Sequence, residues 1–100
     1  MPKIYEYLGL IFYFYSGEHL PVHVHVRKAE CEMKFELIYE KGVLTRIDVR
    51  KVKGKEILKS SDIALTIDFI KEHADGIVTK WNQFFIFGVK PSVEKINKKK

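Results

Sequence analysis

The chain has a single cysteine, Cys31, so no internal disulfide can staple it, and a reducing compartment is the default expectation. Long apolar runs are missing as well. The longest, from Leu8 to Tyr15, is too short to span a bilayer, and the Met1-Pro2-Lys3 start lacks the layout of a signal peptide. The expected location is therefore the cytoplasm, with no membrane contact. There is no internal repeat and no Pro/Gly/Ser-rich linker to divide the chain. A second His/Cys/Asp cluster that could complete a metal coordination sphere is also lacking.

What is present suits one small domain. One hundred residues, 46% hydrophobic and 31% charged, are enough to build a single core. Residues 1–90 are expected to form one globular domain, and 91–100 a basic C-terminal tail, partly disordered, that ends in Lys98-Lys99-Lys100. The net charge of +5 is unevenly spread: residues 41–59 hold seven Lys/Arg against two acids, and residues 90–100 hold five against one. An acidic partner is the natural counterpart of such a bias.

The pattern predicts an α+β fold, with an antiparallel sheet of about five strands over residues 4–49 followed by two helices or one bent helix over about 61–87, packed on one face. Ile4 to Leu8 and Leu10 to Tyr15 flank Gly9 as a hairpin. In its second strand Leu10, Phe12 and Phe14 oppose Ile11, Tyr13 and Tyr15, and neither face is polar. After the Ser16-Gly17-Glu18 turn and Pro21, a strand runs from about Val22 to Arg27. Next, Cys31, Met33, Phe35 and Leu37 alternate with Glu32, Lys34 and Glu36, as a strand with one wet face should. Val43 to Val49 follows as a further strand. At Ser60-Ser61-Asp62 the period changes: either serine can cap a helix, whose apolar face is traced by Ile63, Ile67, Ile70 and Ala74. Ala74-Asp75-Gly76 interrupts it, and Ile77, Trp81, Phe84 and Phe85 continue the helical spacing as core. Val93 to Ile96 is a short strand or merely extended.

Three of the four histidines, His19, His23 and His25, lie between Tyr15 and Arg27. Period two puts Val22, Val24 and Val26 on one face of their strand and His23, His25 and Arg27 on the other. If the valines meet the helices, the imidazoles face outward. Cα atoms roughly 6.5 Å apart let two imidazoles converge on one metal ion or one phosphate. Glu18 and His19 could fold back from the preceding loop. One reading is a Zn²⁺ site on His19, His23 and His25. Another needs no cofactor: imidazole titrates near pH 6.5, and His23, His25, Arg27 and Tyr15 are a set suited to metal-independent RNA cleavage. A third makes the histidines structural, fixing the loop after Pro21. Separately, Arg50, Lys51, Lys53, Lys55 and Lys59 form a basic connector that either meets nucleic acid or is simply solvated.

Met1-Pro2, Gly9, Phe12-Tyr13-Phe14-Tyr15-Ser16, Glu18-His19-x-Pro21-x-His23-Val24-His25-Val26 and Trp81-Asn82 together resemble the bacterial "domain of unknown function 4160" family over roughly residues 1–88. The resemblance implies a small cytoplasmic protein encoded beside another small protein, commonly of the "domain of unknown function 2442" family or a helix-turn-helix protein. It further implies the toxin component of a toxin–antitoxin pair, with Tyr15, Glu18, His19, Pro21, His23 and His25 as the motif positions. Many relatives carry two prolines before the first motif histidine, where this chain has Pro21-Val22. The alternative function, from a different class, is a non-enzymatic nucleic-acid-binding or protein-interaction module that uses residues 50–59. A homodimer is compatible with either.

Overall fold

A computed structural model describes residues 2–15 and 20–97. Glu18 and His19, and the terminal lysines 98–100, lie outside the described residues. The strands are β1 (Lys3–Tyr7), β2 (Leu10–Tyr13), β3 (His23–Lys28), β4 (Cys31–Glu40), β5 (Val43–Lys51) and β6 (Glu94–Ile96), and one helix, α1 (Ser60–Phe85), separates β5 from β6. They form a six-stranded open sheet in the order β5-β4-β3-β2-β1-β6. The first five strands are an antiparallel meander. β6, drawn from the segment expected as a tail, adds in parallel to β1, with Tyr5 opposite Glu94 and Tyr7 opposite Ile96.

Turn chemistry sets the meander. Leu8 and Gly9 both have positive φ, as do Lys41 and Gly42. Two-residue turns with both central residues in that region match the twist of the strands they join. The resulting register brings Tyr5 against Phe12, Phe12 against Val26, Val24 against Phe35 and Leu37 against Ile47. Those side chains form one apolar face, and α1 covers it: Phe69 packs on the rings of Tyr5, Tyr7 and Phe12, while Ile70, Ile77 and Trp81 are buried beside them.

The expected bent helix is a single α1 with non-helical φ/ψ at His73, one residue before the anticipated interruption. The kink coincides with a close approach: a Cβ at Gly76 would overlap the Tyr5 hydroxyl, so only glycine lets the second half of the helix descend onto the sheet. The buried stripe runs Asp62, Thr66, Phe69, Ile70, Ala74, Ile77, Lys80 and Trp81, whereas Ile63 and Ile67 are only half-buried. Two of its members, Asp62 and Thr66, are polar but satisfied: Thr66 Oγ1 donates to the Asp62 carbonyl and Lys28 Nζ sits 3.4 Å from the Asp62 carboxylate. Neither serine caps the helix, because the N-cap is Lys59 and makes no side-chain capping bond. At the other end the helix stops at Phe85, and Phe87 beyond it is 71% exposed. No helix among the described residues is long and apolar enough to cross a membrane.

Lys80 explains why the last strand docks. It is buried, and its Nζ donates to the Ser92 carbonyl at 2.9 Å and the Ser92 hydroxyl at 3.3 Å, while pairing with Glu94 at 3.1 Å. A buried ammonium requires that many partners, and here the C-terminal segment supplies the oxygens while the Tyr5 ring lies 5.3 Å away.

Candidate functional site

The sheet face opposite α1 is built by the alternate residues of the same register. His25 stands beside Tyr13 on β2 and Lys34 on β4; His23 is opposite Glu36, and Arg27 opposite Glu32. One row further, Arg50 lies across from Lys34 and Asp48 across from Glu36. The register sets His23, His25 and Arg27 on the side of β3 that faces away from Val24 and Val26. That side is not open, however: His23 and His25 are 3% and 4% exposed.

Aromatic side chains close it. The Tyr15 ring lies over the His25 imidazole at a centroid distance of 4.0 Å, and the Tyr13 ring stacks beside it at 5.7 Å. Tyr15 then reaches past His25 to donate its hydroxyl to Glu32 Oε2 at 2.7 Å, and the same carboxylate oxygen is 3.4 Å from His25 Nδ1. His23 sits at the end of the strand, where Trp81 of α1 reaches its ring at 5.1 Å and His25 lies 5.5 Å away. Its Nδ1 is 2.9 Å from the Pro21 carbonyl. A carbonyl only accepts, so that nitrogen carries a proton and the ring is fixed in orientation.

Glu32 is the residue that the sequence pattern assigned to the wet face of its strand. It is 4% exposed and forms the hub of the cluster. Burial pushes its carboxyl up, but hydrogen bonds from Tyr13 and Tyr15, together with the charges of His25 and Lys55, outweigh burial and hold it below the usual carboxylate range. Tyr13 is driven the other way, chiefly by burial and then by its hydrogen bonds to Glu32 and Tyr15, so its phenol stays protonated. The result is an ionised carboxylate that accepts from the Tyr15 hydroxyl and lies 3.4 Å from one imidazole nitrogen.

The basic connector divides. Arg50 is 2.6 Å from Glu36 and 3.8 Å from Asp48, so its charge is locally balanced. Lys51 is in register with Met33 and so belongs to the helix-side face. Lys53 is exposed at the Val52–Lys55 turn, and Lys59 is the exposed N-cap of α1. Beyond the turn the chain comes back along β4, where the Glu32 amide donates to the Glu56 carbonyl at 2.9 Å. That return brings Lys55 close enough to act on the Glu32 carboxylate. Arg27, whose guanidinium lies over the Tyr13 ring at 5.7 Å, and half-buried Lys34 complete a cationic rim.

The structure thus unites Tyr15, His23, His25 and Arg27, adds Tyr13 and Glu32, and draws in Lys55 from the connector. Among the described residues no group of three or more His, Cys, Asp or Glu is arranged to hold a metal ion, and His19 lies outside them. A cleft of about 430 Å³ lined by Tyr39, Asp75 and Val78 contains none of the histidines.

These features define a small α+β protein whose open-sheet face carries a tyrosine-covered histidine–glutamate pair. The chain belongs to the family described as domain of unknown function DUF4160, whose profile matches residues 9–82, a span that contains β2 to β5, the connector and α1 as far as Asn82. No curated protein and no solved structure matches it.

Proposed function

We propose that the protein is the toxin half of a toxin–antitoxin pair, held in check by a small neighbour-encoded partner, and that it cleaves RNA without a metal on the sheet face opposite α1. The observation that carries this reading is the pairing of His25 Nδ1 with Glu32, 3.4 Å apart and both buried. A carboxylate on Nδ1 leaves Nε2 for a substrate proton, the arrangement a general base needs. In the step, His25 takes the ribose 2′-hydroxyl proton, the 2′-oxygen attacks phosphorus, and the 5′-oxygen leaves with a proton. The products are a 2′,3′-cyclic phosphate and a 5′-hydroxyl. His23, with a ring centroid 5.5 Å from that of His25, is the group placed to return the proton, and Arg27, Lys34 and Lys55 supply charge for the phosphate. Tyr15 must swing off His25 first.

A second reading is favoured by that same cover: the face binds nucleic acid through its cationic rim and performs no chemistry, the histidine cluster serving only as scaffold. Expression in a bacterial host separates the two. Growth arrest relieved by the neighbour protein and abolished by His25→Ala supports the toxin; unimpaired growth, or arrest that survives His25→Ala in a folded variant, removes it.

A further inference from the structure

We infer that β5 is a self-association edge, and that two copies of this chain join their sheets across it about a two-fold axis through Val49. β5 is nine residues long and the outermost strand on its side, with no strand beyond it among the described residues. The opposite edge, β6, has only three residues. An uncovered edge of that length offers a row of backbone donors and acceptors to another strand.

The sequence of β5 selects the occupant. Arg46 to Lys51 pairs with β4 without interruption, and the register shift lies before it, between Ile38 and Tyr39 on the β4 side. Within this regular stretch, antiparallel pairing with a second copy keeps both helices on one side of the joint sheet only when the axis is normal to the sheet and passes through a residue. An axis at Asp48 sets Asp48 against itself and Arg46 against Arg50, and an axis at Arg50 sets two guanidiniums together. At Val49, each Asp48 faces the partner copy's Arg50, Ile47 faces the stem of Lys51, and Val49, 37% exposed in the single chain, meets its own copy. Opposite charges directly across an antiparallel pair stabilise it and like charges oppose it. An axis at Ile47 would also set Arg46 against Asp48, but it pairs only residues 46–48 of the regular stretch, whereas Val49 pairs 47–51. Charge and the length of regular pairing together select Val49.

Both partners of the cross-pair already belong to an ion network that the second copy would extend. The Arg50 side chain, 57% exposed, is 2.6 Å from Glu36 and 3.8 Å from Asp48, and Asp48, 26% exposed, is 2.9 Å from Arg46. The joint sheet would carry both histidine–glutamate clusters on one continuous face, about 24 Å apart at five strand spacings.

Sedimentation equilibrium on the full chain at hundreds of micromolar tests this, alongside oxidation of a Val49→Cys variant in a Cys31→Ser background. Expected are a dimer whose dissociation constant rises about tenfold or more with Asp48→Arg, since a cross-strand attraction becomes a repulsion, and a Val49→Cys disulfide dimer where Val43→Cys gives none. Far-ultraviolet circular dichroism of each variant confirms that it is folded. A monomer at every concentration, or a dimer that neither cross-links at Val49→Cys nor weakens with Asp48→Arg, overturns the inference.

Discussion

Tyr15 and His25 are in ring contact at 4.0 Å, with Tyr15 lying across the imidazole as a cover whose far end is tied to Glu32. The cover is held by the Glu32 hydrogen bond together with ring contacts to His25 and Tyr13. Tyr15→Phe keeps the ring and loses the bond, so it should open more readily. If the site performs chemistry, turnover in Tyr15→Phe is retained or raised, at a stability cost of about 1 kcal/mol. Paired kinetic and urea-unfolding measurements check this; a complete loss of turnover would make the Tyr15 hydroxyl part of the chemistry instead of a cover.

Glu32 should give the protein an acid limb. Its carboxyl is held below the ordinary value of 4.5 in the native state, so the unfolded chain binds the proton more readily. The stabilisation is fully present above that ordinary value and is lost as pH falls through the native one. Glu32→Gln should flatten this limb in a series of urea titrations at falling pH and cost about 2 kcal/mol near neutrality, because Tyr13 and Tyr15 lose a charged acceptor. An unchanged acid limb would show that Glu32 is not the hub.

The fit between Gly76 and Tyr5 predicts a coupled pair. Gly76→Ala places a Cβ on the Tyr5 hydroxyl and should destabilise by about 1–3 kcal/mol despite alanine's better helix propensity. Tyr5→Phe removes the obstructing atom, so the double variant should recover much of that loss. Thermal melts of the four proteins give the coupling. The same burial, with the Glu94 charge, pushes the Tyr5 phenol up to about 12, so it remains neutral throughout the usable pH range.

Lys80→Met should release the C-terminal strand. The methionine keeps most of the volume but offers nothing to Ser92 or Glu94, so amide hydrogen exchange at Glu94–Ile96 should accelerate while β3 and β4 stay protected. Uniform loss of protection across the sheet would mean that Lys80 supports the whole core.

Much of the sheet and half of the site can be read from the residues. Alternation in Val22–Arg27 and Cys31–Leu37 assigns faces, because a strand's side chains obey period two whatever surrounds them. Gly9 marks the first hairpin turn, with Leu8 as its partner. The role of Glu32 is not legible: its neighbours His25 and Tyr13 come from other strands and Tyr15 from the segment after β2, and only the registers of β2 on β3 and of β3 on β4 bring them together. The helix stripe was misaligned for a related reason. Asp62 and Thr66 are buried, Thr66 bonded to the Asp62 carbonyl and the Asp62 carboxylate facing Lys28 of β3, while the apolar Ile63 and Ile67 are left half-exposed. Hydrophobicity alone thus points one position away from the true face. Nothing local announces that Lys80 is buried, since its partners lie twelve and more residues onward.

The most direct test of the proposed chemistry is to incubate the purified chain with end-labelled single-stranded RNA in the presence of a chelator and compare it with His25→Ala and Glu32→Gln. The account predicts fragments ending in 2′,3′-cyclic phosphate, cut at least about a hundredfold more slowly by His25→Ala, as expected when a general base is removed, with RNA binding little changed. Intact RNA at every pH, or equal cleavage by wild type and a folded His25→Ala variant, would contradict it.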